Sequence, residues 1–139
     1  MISIAELQDI ADKEKTVEKE AAKVKYAKDL AIYRDRIQKI HSNIMSHIQE
    51  QILLAMKINR NYAGLYLDDF KKIFASVNKH DSGEILCYML DENREPSSAY
   101  RKALQEEAKT IRKEFAQAGI KKIARGGQYM GDPYIRIYF

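Results

Sequence analysis

Three histidines, one cysteine and the adjacent carboxylates Asp68-Asp69 and Asp91-Glu92 are the side chains of this 139-residue sequence read first for chemistry. Their spacing decides how far that goes. His41 and His47 stand six apart on what reads as one helix. At 3.6 residues per turn they point roughly 120° apart, whereas two histidines sharing a metal on one helix face stand four apart. Both are read as solvated or interface side chains. His80 lies in an expected turn beside Asp81, with no ligand partner in view. Cys87 sits in the apolar run Ile85 to Leu90, flanked by Leu86 and Tyr88, with no base at a diagnostic spacing. Such a thiol is expected to be buried and unreactive, because the thiolate is the nucleophile.

Asp68-Asp69 and Asp91-Glu92 have the composition to hold magnesium or to move protons. Each pair falls at an expected element boundary, where capping and solvation already employ acids. Gly126-Gly127 and Gly131 have the glycine content of a phosphate loop. A strand rather than a helix is expected next, so no helix N-terminus would meet the phosphate. No set of residues brings a nucleophile, a base and stabilising donors together. The sequence therefore predicts a protein that is not an enzyme, with no metal and no cofactor.

The C-terminal segment offers a binding chemistry instead. Lys121, Lys122 and Arg125 lie on one expected strand, and Tyr134, Arg136 and Tyr138 on the next. Cations interleaved with aromatics on a sheet face can neutralise phosphates and stack bases. The same composition also suits an ordinary outward sheet face, with tyrosine chosen for strand propensity.

These residues need elements to position them. Ser3 and Glu6 have capping-box spacing, and Ile2 and Leu7 stand where a hydrophobic staple packs. From there to about Arg60 there is no proline and no glycine. One long amphipathic helix is expected, either continuous or folded back at the charged stretch Asp12 to Thr16. Its stripe passes through Val17, Ala21 and Val24 and then Leu30, Tyr33, Ile37, Ile40 and Ile44. The last five alternate by three and four, the seam pattern of a coiled coil. A helix of that length measures about 80 Å, too long for the remaining chain to cover. Leu30, Tyr33, Ile37, Ile40 and Ile44 are therefore expected to mediate self-association.

Beyond it, Tyr62–Leu67 reads as a strand. A helix containing Phe70, Ile73, Phe74 and Val77 follows, capped by Asp68 or Asp69. Asn78 to Gly83 reads as a turn. Ile85 to Leu90 is a short buried element; periodicity leaves helix or strand open, and Ser82 as a cap favours helix. A helix from Ser97 to Ala118 carries the stripe Tyr100, Leu104, Ala108, Ile111 and Phe115, with Gly119 as its stop. Strands Ile120–Arg125 and Tyr134–Phe139 flank a glycine-bearing loop and are close enough to form a hairpin. The last alternates, with Ile135, Ile137 and Phe139 on one face and Tyr134, Arg136 and Tyr138 on the other.

The fold expected is α+β and predominantly helical. A long helical arm, residues 1–60, precedes a small domain, residues 61–139, whose short antiparallel sheet is backed by the helix Ser97–Ala118. A net charge of +4 permits nucleic-acid binding without demanding it. A single cysteine excludes an internal disulfide and points to a reducing compartment. The start has no secretory pattern and the arm no apolar run of membrane-spanning length, so a cytoplasmic protein is expected.

Ala118-Gly119-Ile120-Lys121-Lys122-Ile123 followed by Asp132-Pro133-Tyr134-Ile135-Arg136-Ile137 resembles the helix–glycine–strand–loop–strand ending of small bacteriophage-encoded α+β proteins of unknown function. The resemblance covers about half the chain and brings no functional residue with it. It implies a viral accessory protein. The function expected is a protein-binding module that self-associates and modulates or inhibits a larger host protein. The alternative is a nucleic-acid-binding accessory protein using the C-terminal hairpin.

Overall fold

A computed structural model describes residues 2–127 and 129–139. Helix α1 spans Ile4–Lys57 without a break, so the chain does not fold back at Asp12–Thr16. The Ser3 hydroxyl accepts the Glu6 amide at 3.2 Å, the expected N-cap. The other end stops on Asn59, a non-glycine residue at φ 60°. There the Asn59 amide donates to Met56 and the Arg60 amide to Ala55, satisfying carbonyls the helix would leave unpaired.

Strand β1, Tyr62–Leu65, is shorter than expected, because helix α2 begins at Leu67 and ends at Phe74. Asp68 and Asp69 lie in its first turn rather than at its cap. Helix α3, Ile85–Leu90, settles the open element as helix. Glu84, not Ser82, occupies its N-cap position. The turn before it is held by Asp81, whose Oδ1 accepts the Gly83 amide at 2.7 Å. Helix α4 spans Ala99–Ala118, capped by Ser98, which accepts the Arg101 amide, and ended by Gly119 at φ 86°. Strands β2, Lys122–Arg125, and β3, Ile135–Tyr138, complete the fold.

The sheet is antiparallel in the order β1-β3-β2, which puts the C-terminal strand in the centre. Tyr62 and Lys122 both pair with Tyr138, and Gly64 and Ala124 both pair with Arg136. The expected hairpin is present as β2 and β3. The loop between them closes tightly: a Cβ on Gly126 would stand 1.7 Å from the Pro133 carbonyl oxygen, so only glycine fits.

The fold is α+β and mostly helical, with a short antiparallel sheet, as read from the sequence. Helix α4 packs on α1 and α3, α1 meets β1 and α3 touches β2; Ile111 and Phe115 of α4 share one core cluster with Ile135 and Ile137 of β3. One difference concerns the seam. Leu30, Ile37, Ile40 and Ile44 are buried in the chain's own core, and Tyr33 packs at its edge against Tyr100, ring centres 4.9 Å apart. They form the face of α1 that receives α4, not a surface offered to another copy. The reason is geometric: alternating steps of three and four let any two helices interdigitate at a shallow angle, within one chain or between two. One core cluster draws residues from both 1–60 and 61–139.

What the chain does not cover is the first half of α1. Residues 2–28 are exposed, apart from Ala11, which is half-buried. Ile4, Leu7, Ile10, Val17, Val24 and Tyr26 stand among the exposed large apolar side chains.

Candidate functional site

Polar chemistry gathers first where α1 meets α4. The Arg34 guanidinium grips Glu106 through Nε at 2.7 Å and Nη2 at 2.6 Å. This pairing holds the Glu106 carboxyl below its ordinary range. Two turns further along α1, His41 Nδ1 meets Glu107 and Nε2 meets Glu114 at 2.8 Å. Burial works against the charged imidazole, but the two carboxylates outweigh it and raise its pKa. Arg34, His41, Glu106 and Glu107 line an open groove of about 590 Å³. Both ring nitrogens and the guanidinium are already matched, so the seam fastens α4 to α1 rather than presenting unused groups to a substrate.

The other chemistry-bearing residues are dispersed. His47 stacks edge-on to Phe70, ring centres 5.5 Å apart. The His80 amide donates to Asn78. Cys87 is half-buried and lies 3.2 Å from the Tyr134 hydroxyl. Asp91 accepts the Asn93 amide, and Glu92 meets Arg112. Among the described residues no three histidine, cysteine or acidic side chains gather in a way that could hold a metal ion.

One buried and one half-buried polar group, Asp81 and Arg112, had no sequence signal beyond their residue types. Asp81, 3% exposed, accepts the Tyr100 hydroxyl at 2.5 Å on its second oxygen, and burial raises its pKa. Arg112 donates from Nε to the Met89 carbonyl at 3.0 Å and from Nη2 to that of Tyr88. These are carbonyls at the end of α3, which that short helix leaves unsatisfied. Both arrangements are structural.

The sheet carries the second candidate, and the structure divides the expected group. Lys122, Arg136 and Tyr138 share one face, with Lys122 Nζ 4.6 Å from the Tyr138 ring centre. Tyr134 leaves that face: its ring packs against the core and its hydroxyl meets Cys87. The alternation in the sequence starts at Tyr134, one residue before the strand, which begins at Ile135. Arg125 accompanies Tyr134, 5.8 Å from its ring centre. Lys121 precedes β2, its amide donating to the Tyr138 carbonyl.

Two residues outside the expected group join the face through β1. Arg136 lies 4.8 Å from the Tyr62 ring centre, and Arg60 lies 5.7 Å from it on the outer side. The Tyr62 and Tyr138 rings are 5.7 Å apart. Cations and rings therefore alternate across three strands. Arg60, Lys122 and Arg136 make no ion pair among the described residues. The strand reading of Tyr62–Leu67 held the signal for Tyr62, but only the strand order brings it beside Tyr138.

Among the described residues no helix is long and apolar enough to cross a membrane. Comparison with protein-family models, with curated proteins and with solved structures finds no match to this chain.

Proposed function

We propose that this chain is a protein-binding module whose binding element is the free arm of α1, residues 4–28. One observation carries the reading: a regular helix exposes Ile4, Leu7, Ile10, Val17, Val24 and Tyr26 along a stretch that the rest of the chain leaves uncovered. Isolated helices draw little stability from propensity alone and gain most of it by packing an apolar face. Large exposed apolar surface marks an interaction site. The reading keeps the notion of a viral accessory protein that acts by binding, in a reducing, cytoplasmic setting suited to a lone half-buried thiol. The test places a photo-crosslinking amino acid at position 17 of the full chain in its native cells. A discrete protein adduct is expected from position 17 and none from a control at the exposed body residue Lys39. Equal, diffuse labelling at both would sink the reading.

A second reading rests on the sheet. Arg60, Lys122 and Arg136, unpaired with acids and interleaved with Tyr62 and Tyr138, suit single-stranded nucleic acid. Three phosphate contacts would give a salt slope of about −2. The double replacement Tyr62→Ala and Tyr138→Ala should weaken binding while largely keeping that slope, whereas Tyr134→Ala should not matter. Equal loss from all three replacements would refute this placement of the interface.

A further inference from the structure

The arm carries a pattern of its own that specifies what it pairs with. We infer that the arm of one copy packs antiparallel against the arm of a second copy; this rests on the reading of the arm as the binding element.

Leu7, Ile10, Glu14, Val17, Ala21 and Val24 recur at alternating steps of three and four, beginning with three. That is the spacing of a coiled-coil seam, carried for about two and a half heptads. Its next positions are Lys28 and Ala31, both exposed, whereas burial against the body starts at Leu30. The phase slips by two residues, from 28 and 31 to 30 and 33, which turns the stripe about 200° around the axis. The arm's seam is therefore not an extension of the face that receives α4. The 25 residues of the arm measure about 37 Å, and none of them belongs to the core cluster.

Charge selects the partner and the direction. Residues 2–14 hold the acids Glu6, Asp9, Asp12 and Glu14 and the single base Lys13, a net of −3. Residues 15–28 hold Lys15, Lys19, Lys23, Lys25 and Lys28 and the acids Glu18 and Glu20, a net of +3. A parallel pair would lay like on like along its whole length. An antiparallel pair lays each acidic half along a basic half, the complementarity that fixes orientation between charged surfaces. In the register that overlays the halves, Leu7 meets Val24 of the partner subunit and Ile10 meets Ala21 of the partner subunit. Glu14 meets Val17 of the partner subunit, and this layer occurs twice about the dimer axis. A lone polar residue in a seam sets register at some cost in stability.

Single-cysteine variants of the full chain test this, each in a Cys87→Ala background that circular dichroism shows to be folded. Leu7→Cys protein is mixed with Val24→Cys protein under mild oxidation, and sedimentation of the unoxidised mixture measures association. Disulfides between the two variants are expected to dominate over those within either one. Glu14→Leu should tighten the dimer about tenfold, and Val17→Glu should weaken it about a hundredfold. Predominant Leu7→Cys homodimers would mean a parallel pair and overturn the inference. A monomer at 100 µM, a concentration chosen to reveal weak dimers, would also overturn it, as would Glu14→Leu without effect. The binding-module reading separates cleanly. It survives a monomer if position 17 still cross-links to another protein, and fails if position 17 gives no discrete adduct beyond the labelling at Lys39.

Discussion

The two halves of α1 are one continuous helix with opposite situations. From Leu30 to Ala55 it buries Leu30, Ile37, Ile40, Ile44, Ile48 and Ala55 in the core; from Ile4 to Lys28 it buries nothing fully. Both halves carry apolar residues at helical spacing, and both lack glycine and proline. The difference lies in the size of what is offered. The body half presents isoleucines in an unbroken run of seam positions, while the arm mixes valine and alanine with Glu14 and Lys28. The richer stripe is covered by the chain itself, and the sparer one is left free. Seam spacing thus announces that a helix is covered without saying by whom; residue size and charge order carry that second message.

The contrast is broken most forcefully at its two apolar extremes. Ile44 is fully buried. Ile44→Ala should cost about 2–5 kcal/mol through lost burial and the cavity left behind. Val17→Ala, at 67% exposure, should change the monomer's stability by less than about 0.5 kcal/mol. Urea titration at low micromolar protein separates them, and a large effect of Val17→Ala there would mean that the arm docks on its own body.

The elements themselves were legible because their signals are local. Ser3 at three residues from Glu6, Gly119 after the last apolar position and the alternation of Ile135 with Ile137 each specify a boundary or a face within a few residues. What was illegible depends on residues distant in sequence. Nothing near Tyr62 says that it will pair with Tyr138, so the face was read with Tyr134 in place of Tyr62. Nothing near Leu30 to Ile44 says that α4 will cover them. Asp81 and Tyr100 are ordinary turn and helix residues until folding brings them within hydrogen-bonding distance.

The hydroxyl of Tyr100 sharpens the comparison from the covered side, since its ring packs on Tyr33 of the body half. Tyr100→Phe keeps the ring and removes the donor, leaving Asp81 buried with one oxygen unsatisfied. A loss of about 1–3 kcal/mol is expected in denaturant titration. A neutral result would mean that water reaches the carboxylate once the hydroxyl is gone.

The polar seam of the body half adds a pH dependence. The pKa of His41 is raised in the folded state by Glu107 and Glu114. Its contribution is complete below about pH 6.5, the unfolded value, and is lost as pH rises through the higher folded one, where the unfolded state binds fewer protons. Stability should therefore step down as pH rises above about 6.5, by up to about 1 kcal/mol for so accessible a pair. His41→Gln should flatten that step, and an unchanged profile in this variant would assign it to another group.

The smallest effect is the most discriminating, because it compares two capping hydrogen bonds of the same kind and length. Ser3 caps α1 and Ser98 caps α4, and each hydroxyl accepts an amide three residues ahead at 3.2 Å. Local chemistry assigns the two the same worth, about 1 kcal/mol on replacement by alanine. Their surroundings differ. Ser98 opens a helix whose first residues, Ala99 and Tyr100, are already buried, so loosening that turn disturbs the core. Ser3 opens the arm, where Ile4 is 75% exposed and the first turns can fray without disturbing any core contact. Ser98→Ala should therefore lower the global unfolding free energy by about 1 kcal/mol, whereas Ser3→Ala should leave it unchanged. Under monomeric conditions, hydrogen exchange should show the Ser3→Ala effect only in amides of the first turns, as faster exchange. Once arms pair, that fraying is coupled to association, and Ser3→Ala should weaken the dimer while the unfolding of the body stays constant. A global loss from Ser3→Ala in the monomer would instead show that the two halves of α1 melt as one unit, and the division between covered and free helix would fall.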